Sequence, residues 1–160
     1  MAWAKHGTET LAGTADSVTS TGTATKFNAV MSHLLPSGAD TFRYLRFNSD
    51  GGSLYARRFS INGGEDGTGE SVALINTGLA DGDNFNLSYH VKISGKEALG
   101  ILWVINSVDV GAGTAPSRGE FVIKYAPSSL TDTIDSIEYY NDNAGLDYEA
   151  GSNISALGTD

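Results

Sequence analysis

Apolar and polar residues alternate along most of this chain, and almost nowhere do they recur at a helical period. The cleanest stretch is 85–93. Phe85, Leu87, Tyr89, Val91 and Ile93 fall on one side of an extended strand, and Asn86, Ser88, His90 and Lys92 on the other. Alternation this regular predicts a strand with one face in the core and one in water. Residues 42–62 carry two runs of aromatic, aliphatic and arginine residues around Asn48-Ser49-Asp50-Gly51-Gly52, a segment that tolerates positive φ. They predict a β-hairpin. Phe27, Ala29 and Met31 alternate with Asn28, Val30 and Ser32 until Pro36-Ser37-Gly38 ends the segment. Residues 98–108 are apolar on both sides through Leu102-Trp103-Val104-Ile105, the pattern of a central strand covered on both faces, as at a subunit interface. Residues 120–125, 134–140 and 152–157 read as further strands, and Val72, Leu74 and Ile75 as a short strand or a helical turn.

Glycine-rich and Asn/Asp-rich turns separate these runs, at 62–69, 81–84, 94–97, 111–119 and 141–145. About eight or nine strands at this spacing, with no convincing helix, predict an all-β, single-domain β-sandwich of jelly-roll type. A chain of 160 residues suffices for one such core, burying about 70% of its unfolded surface. With no cysteine to staple two smaller units, one core is the better expectation. Residues 1–25 are small and polar, anchored by Leu11 and Val18, and read as an N-terminal Thr/Gly-rich arm or an edge strand. Residues 26–160 read as the sandwich.

Charge narrows the partners. The net charge of −9 repels nucleic acid, which is held through phosphate neutralisation by Lys and Arg. No nucleic-acid partner is expected, and in a nucleoprotein particle such a chain belongs on the outside. No stretch approaches the roughly 20 apolar residues that span a bilayer, so no membrane partner is expected either. Met1-Ala2-Trp3-Ala4-Lys5-His6 lacks the apolar run of a signal peptide. The absence of cysteine excludes a disulfide scaffold and a thiolate metal site.

Candidate chemistry is sparse. There is no Gly-x-Ser-x-Gly elbow, and His6, His33 and His90 have no evident nucleophile to activate. Asp81-x-Asp83 opens like a calcium loop but lacks the glycine at its sixth position and has Lys92 at its twelfth. Asn62, Glu65 and Asp66, and Asn141, Asp142 and Asn143, are oxygen-rich turns, which favour such residues for backbone reasons alone. Gly111-x-Gly113 lacks the third glycine and following helix of a phosphate cradle. We expect no enzyme, no cofactor and no metal. The arginines are more informative. Arg43, Arg46, Arg57, Arg58 and Arg118 are half of the 10 basic residues. They are suited either to carboxylates across an interface or to weak intrachain pairs with Glu120 or Asp50. Trp3, Tyr55, Tyr125, Tyr139, Tyr140 and Tyr148 serve either sugar stacking or cross-strand packing.

The stretch 46–58, Arg-Phe-Asn-Ser-Asp-Gly-Gly-Ser-Leu-Tyr-Ala-Arg-Arg, resembles a block of small tailed-phage structural proteins common in aquatic viruses. Ile93-Ser94-Gly95-Lys96-Glu97, the run 111–120, Gly151-Ser152 with Ala156-Leu157-Gly158, and the opening Met-Ala-Trp resemble further blocks, in order along nearly the whole chain. One departure is Lys124-Tyr125, where Lys-Trp is expected. The resemblance implies a virion component: a capsid decoration (cement) protein on the outer surface of the capsid, bound to the major capsid protein and self-associating as a homotrimer. The alternative is a tail-associated or receptor-binding module that recognises host glycans. The residues expected to make partner contacts are Trp3, Leu11 and Val18 in the N-terminal segment, with Arg57, Arg58 and Arg118.

Overall fold

The computed structural model describes residues 2–23, 27–37, 43–70, 84–93, 97–106, 117–127, 134–142, 145 and 147–159, with 43, 70, 84–93, 97–106 and 117 described by their backbone. These residues are all-β, with no helix among them. They form eleven strands: β1 (Ala4–Thr10), β2 (Ser17–Thr21), β3 (Phe27–Leu34), β4 (Arg43–Phe47), β5 (Tyr55–Ile61), β6 (Gly67–Glu70), β7 (Asn84–Ile93), β8 (Glu97–Asn106), β9 (Ser117–Tyr125), β10 (Ser136–Asn141) and β11 (Asn153–Thr159). An eight-stranded sheet runs β1-β11-β3-β7-β8-β9-β5-β6 and a three-stranded sheet runs β2-β10-β4. Every pairing is antiparallel. The count exceeds the expected eight or nine because the N-terminal segment supplies two strands and the glycine-rich run after Asn62 supplies the four-residue β6.

Both sheets feed one hydrophobic cluster. Val30, Leu34, Tyr55, Phe121, Ile123, Tyr125, Ile154 and Ala156 come from the large sheet, and Val18, Leu45, Phe47, Ile137 and Tyr139 from the small one. The alternation is visible in β3, where Asn28, Val30, Ser32 and Leu34 are buried and the intervening residues are not. Burying each large apolar side chain contributes about 1.5–3 kcal/mol.

Residues 4–21 are part of this fold. β1 pairs with β11 and β2 with β10, each as the outermost strand of its sheet. The two approach closely at Gly7, where a Cβ would lie 2.7 Å from the Thr21 carbonyl oxygen. Val18 has no exposed surface. Leu11 packs part of its side chain on the core, and its N–H donates to the Ser152 carbonyl at 2.9 Å. The boundary between residues 25 and 26 lies outside the described residues.

The expected hairpin is corrected. β4 and β5 are strands, and the turn between them carries φ of 53° at both Asn48 and Ser49. Yet β4 pairs with β10, whereas β5 pairs with β9 and β6. The segment is a corner between the sheets. Its aromatic residues turn toward each other across the core instead of sharing a ladder. Phe47 stacks on Tyr55 at 6.4 Å and lies 5.3 Å from Tyr125. Asp50 braces the corner: its carboxylate accepts the Gly52 N–H at 2.7 Å and the Tyr125 hydroxyl at 3.1 Å.

Candidate interaction surface

Directly opposed residues of an antiparallel pair share a face, so the register of the large sheet shows what its outer side carries. On β3 the unburied phase is Phe27, Ala29, Met31 and His33. These pair with Val91, Tyr89, Leu87 and Phe85 of β7. Those in turn pair with Leu99, Ile101, Trp103 and Ile105 of β8, which pair with Lys124, Val122, Glu120 and Arg118 of β9. By register, the positions of β7 and β8 aligned with the unburied phase of β3 are apolar in sequence, and the aligned positions of β9 are Lys124, Val122, Glu120 and Arg118.

The register sets the apolar positions of 85–93 opposite the unburied phase of β3. Asn86, Ser88 and His90 share the inner face with Ser32, Val30 and Asn28.

Side-chain exposure agrees with the register. Among the described residues the exposed large hydrophobics are Trp3 (56%), Met31 (48%) and Val122 (41%). Met31 and Val122 occupy outer positions of β3 and β9, and Trp3 meets the Phe27 ring edge-on at 5.2 Å. A solvated sheet face is ordinarily polar. A contiguous apolar one marks an interaction surface.

Beside Val122 the sheet carries a groove of about 380 Å³ lined by Ala56, Arg57, Arg58, Thr68, Gly69, Val122 and Lys124. Among the described residues its lining includes three cationic residues and no acid. Arg58 forms an exposed 3.1 Å pair with Asp66, a contact of little energetic weight. Arg57 sits on the other side of β5. Its guanidinium lies 4.7 Å from the Phe59 ring centre, and burial lowers its pKa. Gly69 makes room for it, since a Cβ there would lie 2.7 Å from Arg57 Nε.

The expected contact residues therefore separate. Trp3 and Arg58 reach the outer face and its groove. Arg118 is exposed further along β9, where its backbone N–H donates to Asn62 Oδ1 at 2.9 Å and its Nε is 3.9 Å from Glu120 Oε1. Arg57 is half-buried at the groove. Leu11 is largely committed to the core. Val18 is a core residue and cannot contact a partner, because no part of it meets solvent. Of the tyrosines, Tyr55, Tyr125, Tyr139 and Tyr148 are buried, and Tyr140 lies beneath the Arg46 guanidinium, 3.6 Å from its ring centre. Met31, Val122 and Lys124 were not singled out by sequence reasoning. The signal available for them was the apolar outer phase shared by consecutive strands.

His6 and His33 are half-buried on β1 and β3. Among the described residues no three His, Asp or Glu side chains gather as a metal-binding group, and no helix is long and apolar enough to cross a membrane. The turn at 81–83 and the glycine loop at 111–116 lie outside the described residues. No family model, curated protein or solved structure matches the chain.

Proposed function

We propose that this chain is a structural protein of a tailed-phage virion, a decoration (cement) protein that bridges neighbouring capsomers on the outer surface of the mature capsid. It acts by adhesion and not by catalysis. The observation that carries this reading is the groove where Arg58 and Lys124 flank exposed Val122, in a chain whose net charge is −9. Cations gathered on one margin of an acidic chain suit the carboxylates of a protein partner, here the major capsid protein. The resemblance of the 46–58 block to phage structural proteins supports the same assignment.

We read the fold as a jelly-roll β-sandwich. The first strand lies beside the last, β1 beside β11, and the second beside the second-last, β2 beside β10. Pairing of the chain's ends in this way is what a ribbon wrapped into a jelly roll requires, and it supports the reading.

Bound across a capsomer boundary, the protein adds contacts that must break before the shell can expand or rupture. It stabilises the bound state by mass action. The test is binding of the purified protein to shells stripped of it. Saturation at hundreds of copies per particle is expected, with Arg58→Glu/Lys124→Glu binding roughly tenfold or more weakly, and Thr21→Glu, on the exposed side of the small sheet, unchanged. No binding to the shell, or a handful of copies confined to the tail, overturns the reading.

A further inference from the structure

We infer that the groove beside Val122 takes an extended acidic segment whose carboxylates stand two residues apart, a sequence of the form acid-x-acid. The inference rests on the docking reading and names the kind of segment the partner must offer.

The register fixes the arrangement. Val122 lies opposite Arg58, and Lys124 lies opposite Ala56. All four residues are exposed. The two cations therefore occupy one diagonal of a cross-strand square, and Val122 and Ala56 occupy the other. Diagonal positions on neighbouring strands lie about 7–8 Å apart. Side chains two residues apart on an extended chain share a face and are spaced at about 7 Å. Adjacent acids point to opposite faces, and acids four residues apart are separated by about 14 Å. The two-apart spacing sets one carboxylate on each cation while the segment stays extended.

Shape selects the extended form. Ala56 is the short floor of the groove, with Val122 and Lys124 of β9 on one side and Thr68 of β6 on the other. β9 and β6 are two strand spacings apart, roughly 10 Å. An extended chain fits between their side chains, whereas a helix about 10–12 Å across does not. Arg58 already holds one carboxylate. Its Nη1 lies 3.1 Å from Asp66 Oδ2, with both side chains more than half exposed. That contact uses one donor of a five-donor fork suited to carboxylates. Asp66 stands just before β6 and reaches Arg58 from that flank. A partner's carboxylate approaches from the Val122 side.

The experiment measures binding of capped threonine pentapeptides carrying two glutamates to the full chain at low salt, by fluorescence polarisation. Three peptides of equal charge place the glutamates adjacent, two apart or four apart. The two-apart peptide is expected to bind roughly threefold or more tightly than either of the others and to weaken as salt rises. Arg58→Glu/Lys124→Glu should weaken it about tenfold, and Thr21→Glu should bind it like wild type. The comparison of peptides is made on wild type and does not depend on a variant folding. Equal binding of all three peptides, binding of none, or a folded Arg58→Glu/Lys124→Glu protein that binds the two-apart peptide like wild type overturns the inference. Saturable shell binding without a spacing preference overturns this inference alone. A spacing preference without shell binding overturns the docking reading alone.

Discussion

The Tyr55 hydroxyl donates to the Asp50 carbonyl at 3.0 Å while its oxygen accepts the Phe47 N–H, also at 3.0 Å. One buried phenol thus closes both sides of the corner that carries the chain from the small sheet to the large one. Tyr55→Phe leaves two backbone groups without that partner and should destabilise the fold by about 1–3 kcal/mol, read from urea unfolding. Burial raises the Tyr55 pKa, so the folded state holds this proton more tightly than the unfolded one. The stabilisation it gives is complete below the unfolded value of about 10 and is lost as pH rises through the folded value. Alkaline destabilisation should therefore be steeper in wild type than in Tyr55→Phe.

Gly7 sets how closely β1 approaches β2. A Cβ there would lie 2.7 Å from the Thr21 carbonyl oxygen and 3.0 Å from that of Gly22, and would collide with Ser20 Oγ. Gly7→Ala should cost about 1–3 kcal/mol through overpacking, measured by thermal unfolding. Gly13→Ala, where a Cβ meets nothing within 4 Å, should be neutral or slightly stabilising. Removing residues 2–21 deletes two strands and should abolish folding, whereas removal of a free arm would leave the domain intact.

Asp147 has its pKa raised, first by a hydrogen bond with the Asp16 carboxyl, then by partial burial and by the neighbouring negative charge. The folded state therefore favours protonated Asp147. The stability this contributes is complete below the unfolded value of about 3.9 and is lost as pH rises through the folded value. Asp147→Asn removes the penalty, so it should raise the melting temperature at neutral pH and have little effect near pH 3. A melting-temperature series against pH checks this.

Gly69 makes room for the Arg57 side chain on the side of β5 away from Val122. Gly69→Ala should push the guanidinium aside at little cost in stability, because the displaced group ends a flexible side chain. Shell affinity should change little, because Arg57 lies on the side of β5 away from Val122, whereas Arg58→Glu/Lys124→Glu weakens it. Wild-type shell affinity should itself weaken with salt, since charge pairing at the groove is screened. An affinity indifferent both to salt and to Arg58→Glu/Lys124→Glu would leave the groove without a docking role.

Strands were legible in this chain wherever side chains alternate, because alternation is a property of the backbone. Phe27–Leu34, Ser117–Tyr125 and Asn153–Thr159 lie close to where the pattern placed them. Partners were not legible. Phe47 and Tyr55 read equally well as ladder neighbours or as a stack across two sheets, and only the three-dimensional arrangement selects the latter. At 85–93 the alternation marked a strand but not its partner: the register sets Phe85, Leu87 and Tyr89 opposite His33, Met31 and Ala29, the unburied phase of β3, a relation that the spacing of 85–93 alone does not carry. The cationic groove was half visible: Arg57 and Arg58 stood out, but Lys124 joins them only through the pairing of β9 with β5.

Ala4 lies opposite Gly158, and β11 separates β1 from β3. A ribosome making this chain therefore releases its first strand long before the strand that will hold it. The large sheet stays open at that seam until residue 159 has been added, and long-range closure of this kind folds slowly. Each new molecule passes through an interval in which the edge of β3 is available to a neighbour's β11, a ready route to strand exchange when many copies are made at once.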